Sequence, residues 1–241
     1  MAKPKIIFSD FDGTLTERGL ISPALFDVFE LSHRLGSEMI VVTGRPLSWS
    51  HFLMSHTPLK ASISEGGGVI SIREGKRFKD VYLAPKEDIE KLKNVTQLLF
   101  NEISDFYLSD DSTGRITDRA IELDYLELGD NEERITEILD ANEVNYSKSN
   151  VHLNFWVGDI SKKNSVEYYL ENYSTYNKDE CIYFGDSLND QSVFSWMENS
   201  VGVSNISRVL QVLKHKPATI LQGNNNKEIH GVKNYLKSLL K

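Results

Sequence analysis

Asp10-Phe11-Asp12-Gly13-Thr14-Leu15-Thr16, placed directly after the apolar run Ile6-Ile7-Phe8, sets two carboxylates at the end of a buried strand. Residues two apart on a strand share a face, so Asp10 and Asp12 point into one space while Gly13 and Thr14 turn the chain away. Two like charges that close are unfavourable unless a cation or a shared proton relieves them. A divalent metal does so, and a phosphoryl group under attack gives both carboxylates work. The stretch is an arrangement for phosphate chemistry.

Outward from it, the first third of the chain alternates strand-like and helix-like segments. Residues 6–8 read as a strand, 23–35 as an amphipathic helix opened by Ser22 and Pro23, and 38–42 as a second apolar strand. A helix follows Pro46 to about residue 55, and residues 61–63 open a third strand ending in Glu65-Gly66-Gly67-Gly68. The last third resumes the pattern with a helix over 162–173, a strand over 181–184, a helix over 190–197, a strand over 200–203 and a final helix ending near residue 240. Such alternation implies parallel strands with crossover helices, so residues 1–84 and 159–241 are expected to form one doubly wound α/β core.

Residues 85–158 differ. A charged helix pattern over 87–103 is followed by strand-like 106–109 and 120–126, a helix over 132–139 and strand-like 151–157. The order α-β-β-α-β, with alternation in Val151-His152-Leu153-Asn154-Phe155-Trp156-Val157, indicates an insert whose sheet keeps one open face.

Composition narrows the partners. The chain has 241 residues, 40% of them apolar, and a formal net charge of −8. Binders of a phosphate backbone or an anionic membrane present a basic face, so neither nucleic acid nor membrane is the expected partner, and an anionic ligand must be met by local cations. Met1-Ala2-Lys3-Pro4-Lys5 passes into the first strand without a long apolar stretch, which makes a cytoplasmic location the expectation. The only cysteine, Cys181, lies in the apolar run Cys181-Ile182-Tyr183-Phe184 and reads as a buried structural thiol.

Three more segments fall at the ends of core strands, where open α/β sheets bind ligands. Val41-Val42-Thr43-Gly44-Arg45-Pro46 puts a hydroxyl and a backbone N–H beyond the second strand. Asp159-Ile160-Ser161-Lys162-Lys163-Asn164 puts a lysine at a helix start, and Phe184-Gly185-Asp186-Ser187-Leu188-Asn189-Asp190 puts further carboxylates beyond the fourth strand. Each alone is an ordinary turn, solvated face or helix cap. In this order and at these strand ends, the four together resemble the signature motifs of the haloacid dehalogenase (HAD) superfamily of phosphohydrolases, and the resemblance covers the whole chain.

The resemblance implies a Rossmann-like core with an inserted α+β cap, residues 85–158, that supplies substrate specificity. A cap of this size resembles the Cof-type (IIB) branch, which includes sucrose-phosphate, mannosyl-phosphoglycerate and trehalose-phosphate phosphatases. The tail Ser200-Val201-Gly202-Val203-Ser204-Asn205-Ile206, with Pro217-Ala218-Thr219, looks most like the sucrose-phosphate side. It further implies that Asp10 attacks phosphorus to give an aspartyl-phosphate, and that Asp12 protonates the leaving alkoxide and then activates water. Mg²⁺ would be held by Asp10, Asp186 and the backbone carbonyl of Asp12, a set that suits a hard cation. Asp190 would hold a metal-bound water or orient Lys162, with Asn189 in the same network. Thr43, the Gly44 amide and Lys162 would receive the phosphoryl oxygens, where charge accumulates in transfer.

Two departures from the family pattern matter. Family members carry a small residue after the motif lysine where this chain has Lys163; neighbours on a helix point about 100° apart, so only one lysine of the pair faces the site, and Lys162 is the choice. Glu65-Gly66-Gly67 stands in place of the commoner Glu-Asn-Gly.

For specificity, His152, Asn154 and Trp156 share one face of a strand, offering imidazole and amide partners for hydroxyls and an aromatic face for C–H groups, though such a face can also be simply solvated. Arg45 is placed either to approach a ligand or to form a structural ion pair, and Arg115 and Arg119 either to meet a second anionic group or to carry surface charge. The expected function is a Mg²⁺-dependent phosphomonoester hydrolase acting on a small phosphorylated molecule, a sugar phosphate. A sugar phosphomutase is the alternative, and a non-catalytic sugar-phosphate sensor is disfavoured because none of the motif residues is lost.

Overall fold

The computed structural model describes residues 3–148 and 151–241. Strand β1 (Ile6–Ser9) is buried along its whole length. It lies inside a sheet covered on both faces, which is why its sequence is a continuous apolar run. Strands β2 (Glu38–Val42) and β9 (Cys181–Gly185) flank it in parallel, with Ile7 opposite both Met39 and Ile182. Strand β3 (Ala61–Ser64) lies beyond β2, while β10 (Ser200–Gly202) and β11 (Thr219–Ile220) lie beyond β9. The parallel sheet expected from the alternation is therefore present.

A hairpin of β4 (Val69–Glu74) and β5 (Arg77–Tyr82) extends it antiparallel, giving an eight-stranded sheet in the order β11-β10-β9-β1-β2-β3-β4-β5. The hairpin turns at Gly75, whose φ of 62° suits glycine. Its outer strand alternates exposed and half-buried residues, so neither a long apolar run nor a helical period marks it in the sequence.

Side-chain alternation builds the two layers. Ile7, Ile182 and Phe184 pack with Leu25 and Val28 of α1 (Ala24–Leu35) and with Val232 and Leu236 of α8 (Glu228–Ser238). Ile6, Phe8, Ile40 and Val42 pack on the opposite face with Val166 and Tyr169 of α6 (Lys162–Tyr173). Helix α1 stops at Gly36, in the left-handed region, whose N–H returns to the carbonyls of Ser32 and His33. Helix α2 (Leu47–His56) follows β2. Parallel pairing brings the carboxyl ends of β1, β2 and β9 to one edge, where their following loops meet.

The insert opens with α3 (Lys86–Glu102). Its three-stranded antiparallel sheet has the order β6-β8-β7, formed by β6 (Asp118–Glu122), β8 (His152–Trp156) and β7 (Asn145–Lys148). Ile121, Leu153 and Phe155 pack against Leu92, Val95 and Leu99 of α3 and against Ile135 and Leu139 of α5 (Asn131–Ala141). The register sets Asp118 opposite Trp156, Ala120 opposite Asn154 and Glu122 opposite His152, so these six share the other face.

Several local expectations are corrected. Residues 106–109 form no strand: the edge of β6 at Ala120 is taken instead by the Ser109 N–H and the Ser112 hydroxyl. Residues 120–126 split into β6 and one helical turn, α4 (Leu123–Leu126). Strand β7 was not expected because all of it is exposed and polar. Residues 190–197 contain only the short α7 (Gln191–Phe194), preceded by a 3₁₀ turn that the Asp190 carboxylate closes by accepting the N–H groups of Asp186 and Ser187. Among the described residues no helix is long and apolar enough to cross a membrane.

Core and insert meet at residues 65–68. Glu65 is 1% exposed and has φ of 53°. One oxygen of its carboxylate accepts the Leu47 N–H at the start of α2, and the other accepts the N–H groups of Ile116 and Thr117 and the Thr117 hydroxyl at 2.6–2.9 Å. Next to it, a Cβ on Gly67 would lie 2.3 Å from the Ser161 carbonyl oxygen and one on Gly68 would lie 1.8 Å from the Thr117 hydroxyl. A second tie runs from Arg115 Nη1 of the insert to the Gly44 carbonyl, 2.9 Å away. Glu65→Ala strands several buried donors at once, and urea unfolding is expected to show a loss of about 2–4 kcal/mol. A loss below about 0.5 kcal/mol would mean that the junction does not depend on this carboxylate.

Candidate active site

The chain leaves β1 at Asp10, whose N–H is bonded to the Phe184 carbonyl of β9, and turns at Gly13 with φ of 82°. The Thr16 hydroxyl accepts the Gly13 N–H at 2.9 Å and closes the turn. Asp10 is thereby fixed at the sheet edge and only 4% exposed. Lys162, at the start of α6, reaches the same point: its ammonium donates to Asp10 Oδ1 at 2.6 Å and to Asp190 Oδ1 at 2.7 Å. The N-cap residue Ser161 fixes that helix start by accepting the Asn164 N–H. Lys163 points elsewhere, pairing with Glu167 and lying over the Trp196 ring. The geometry thus places Lys162 of the pair at the site.

Asp186 completes the group. Thr14 donates its hydroxyl to Oδ1 at 3.1 Å and Asn205 its amide to Oδ2 at 2.8 Å. Space here is tight, since a Cβ on Gly13 would sit 2.5 Å from Asp186 Oδ2. Oxygen atoms of Asp10, Asp186 and Asp190 lie within 4.8 Å of one another, all three side chains buried. Burial pushes the Asp10 carboxyl well above the ordinary carboxylate range, with Lys162 opposing. Burial, and then the Asp190 charge, push Asp186 up to about 7. Lys162 is held above the usual lysine value because Asp10 and Asp190 outweigh its own burial. Three carboxylates against one ammonium leave a deficit of positive charge, and an all-oxygen donor set suits a hard divalent cation.

Asp190 differs from the other two. Its Oδ1 accepts the Tyr183 hydroxyl and Lys162, and its Oδ2 accepts two backbone N–H groups, so its lone pairs are engaged within the protein. It anchors Lys162 and the turn, leaving Asp10 and Asp186 as the carboxylates able to hold a cation. The Asp12 side chain borders the same hollow as Asp10 but lies outside the close carboxylate group: Arg45 Nε and Nη2 fork onto its two oxygens at 2.9 and 2.8 Å. Of Asp12, the backbone carbonyl remains for a cation. Arg45 forms an ion pair and also borders the cleft. Thr43 Oγ1 accepts the Arg45 N–H at 3.0 Å. The Asn189 amide oxygen accepts from Ser187, and the residue borders the cleft without joining the buried cluster.

Two joined hollows form that cleft. One, of about 60 Å³, is bordered by Asp10, Asp12, Arg45, Arg115 and His152. The other, of about 230 Å³, is bordered by Lys162, Gly66, Asp118, Ser147 and Trp156. Gly44, Asn154 and Asn189 border both. The strand face carrying His152, Asn154 and Trp156 therefore looks onto the carboxylate cluster. His152 is 3.2 Å from Glu122, and Asn154 donates to Asp118 at 3.0 Å. Arg115 is not surface charge: it is buried, forks onto Asp111 and donates to Asp118. Arg119 donates to the carbonyls of Arg115 and Asp118.

Four residues of this network escaped the sequence reading. Tyr183 sat in an apolar run, Thr14 and Glu65 in turns, and Asn205 in the tail. Asn205 bridges the Gly13 carbonyl and Asp186 with its amide nitrogen and takes the Glu228 N–H of α8 with its oxygen. Its position just after β10, at the same sheet edge, was the available signal.

The model of the haloacid dehalogenase-like hydrolases matches residues 7–112 and 84–236. The chain belongs to that family. A phosphoglycolate phosphatase of Nitrosopumilus maritimus is 27% identical over 212 residues, covering 85% of each chain. Among solved structures, a Thermoplasma acidophilum protein superposes with a TM-score of 0.75 at 15% identity over 99% of both chains. The sucrose-phosphatase of Synechocystis, solved with sucrose and phosphate, gives 0.72 at 15% identity, over 99% of this chain and 98% of that one. The family match makes this chain a haloacid dehalogenase-like hydrolase, and the phosphatases above are proteins it resembles in sequence or in fold.

Below pH 7 a divalent cation entering the site must displace the proton that burial keeps on Asp186. Calorimetric titration with Mg²⁺ is expected to show affinity rising from about pH 5 through about pH 7, with proton release on the acid side. The folded value lies above the unfolded one, so the same carboxyl costs the metal-free fold stability as pH rises toward and through 7. Affinity independent of pH over this range would contradict the shifted carboxyl.

Proposed function

We propose that the protein is a Mg²⁺-dependent sugar-phosphate monophosphatase working through an aspartyl-phosphate at Asp10, with residues 85–158 acting as a specificity cap. The observation that carries the reading is the buried contact of Lys162 with Asp10, which fixes one oxygen of a carboxylate aimed out of the sheet edge. A carboxylate is a weak nucleophile and must be positioned and charge-compensated to attack. When bound between Asp10, Asp186 and the Asp12 carbonyl, Mg²⁺ would compensate the carboxylates and draw charge from the phosphoryl oxygens.

The chain's own groups account for the remaining steps. Asp10 attacks phosphorus as the P–O bond to the sugar breaks, and Asp12 gives the departing oxygen its proton. Asp12 then takes a proton from the water that attacks the phosphorus, releasing inorganic phosphate and restoring Asp10. Arg45 holds Asp12 at the cleft edge. The Thr43 hydroxyl, the Gly44 N–H and Lys162 are the donors for the phosphoryl oxygens. The insert sheet covers the site and limits water.

The cations bordering the cleft favour a neutral polyol as the leaving group. Among the described residues lining it, Arg45 is committed to Asp12, Arg115 to Asp111 and Asp118, and Lys162 to Asp10 and Asp190. A second anionic group, such as the carboxylate of the phosphoglycolate named for the Nitrosopumilus relative, meets no uncommitted cation there. Asp118, Asn154, Ser147 and the Trp156 ring instead offer hydroxyl partners and a stacking face, the set a sugar uses.

Phosphate release with Mg²⁺ is expected to be fastest for sugar phosphates, to need no bisphosphate activator and to vanish in Asp10→Asn. Turnover confined to phosphorylated carboxylates would overturn the sugar assignment. A requirement for bisphosphate with no phosphate released would point to a mutase, and unchanged activity in Asp10→Asn would remove the nucleophile.

A further inference from the structure

Glycines 66, 67 and 68 are consecutive after β3, the first of them bordering the cleft, and the other two have an evident reason. A Cβ at Gly67 or Gly68 would collide with Ser161 or Thr117. At Gly66 a Cβ would meet nothing within 4 Å. The backbone there favours glycine but admits asparagine. Gly66 lies at φ 65°, ψ 8°, a region that asparagine also enters, and the preceding residue, Glu65, holds φ of 53° with a full side chain.

What glycine changes at this position is room. Gly66 borders the 230 Å³ hollow beside Lys162, with Trp156, Asn154, Asp118 and Ser147 among the other residues around it. The 60 Å³ hollow beside Asp10 and Asp12 is too small for a ring. A cavity of about 150 Å³ holds one six-membered ring, so the larger hollow is the part of the cleft with space for one. Trp156 supplies an apolar ring face, and Asp118 and Asn154 supply hydrogen-bonding groups on the insert side. A side chain at position 66 would occupy part of this space from the core side.

We propose that Gly66 is a specificity-determining position: the side chain it lacks leaves the hollow beside Lys162 wide enough for a ring-sized polyol as leaving group. The inference rests on reading the cleft as the substrate site. Phosphate stays beside Asp10 and Asp12, while the leaving group extends past Gly44 and Asn154 into the space over Gly66. Gly67 and Gly68 have a different role, the close approach of core and insert.

The test compares kcat/KM for a hexose phosphate and for glycerol phosphate, with Mg²⁺, in the full chain and in Gly66→Asn. Asparagine is chosen because it tolerates the local backbone. The hexose-to-glycerol ratio is expected to fall at least about tenfold in Gly66→Asn, the scale on which pocket volume discriminates, with a smaller fall in Gly66→Ala. Thermal unfolding establishes that each variant is folded, and Gly66→Ala carries the comparison if Gly66→Asn is not. A ratio within about twofold of wild type in a folded Gly66→Asn, far below that scale, overturns the role of Gly66 whichever ester the wild type prefers. A wild type favouring glycerol phosphate would count against the sugar-phosphate reading alone, because the ratio still registers the gap.

Discussion

The ammonium of Lys162, buried between Asp10 and Asp190, is the contact on which the site depends. Three carboxylates are brought to one buried point by the parallel strands β1 and β9, and a single lysine cannot neutralise them. Burial of unpaired charge is costly, so the arrangement is stable only with protons or a cation in addition. The raised Asp10 and Asp186 carboxyls are the protonated solution to that problem. A divalent cation is the other, and the proposed phosphate transfer would use the second.

The rest of the fold keeps these groups in place. The oxygens of Asp190 are held by Tyr183, Lys162 and the turn after β9, which ties that turn to Lys162. Asn205 ties Asp186 to the Gly13 turn and to the start of α8, which makes the C-terminal helix part of the support for the site. Glu65 joins β3, α2 and the insert through one carboxylate. The insert is also fastened beside Gly44 through Arg115, and the strand carrying His152, Asn154 and Trp156 faces the cleft.

Much of this was legible from residues whose type and position agree. Asp10, Lys162 and Asp186 are polar residues at the ends of apolar strands or the start of a helix, where a side chain without a partner would be costly. The alternation in β8 separates Leu153 and Phe155, which pack in the insert's core, from His152, Asn154 and Trp156, which border the cleft. Less legible were contacts made by ordinary-looking residues. Tyr183 reads as core until its hydroxyl is seen on Asp190, and Glu65 reads as a loop acid until its donors are placed. Strand β7 is polar and exposed, so its pairing with β8 carries no hydrophobic signature. Residues 106–109 have strand-like composition, but only the Ser109 N–H reaches β6, and the Ser112 side chain shares that edge at Ala120.

In the proposed mechanism Asp10 attacks phosphorus and water then attacks the resulting acyl phosphate, two displacements at one centre. The stereochemical course at phosphorus measures this most directly, using a thiophosphate ester made chiral with two oxygen isotopes and hydrolysed in water labelled with the third. Two in-line displacements predict overall retention of configuration. Inversion would mean a single direct attack by water and would contradict Asp10 as the nucleophile.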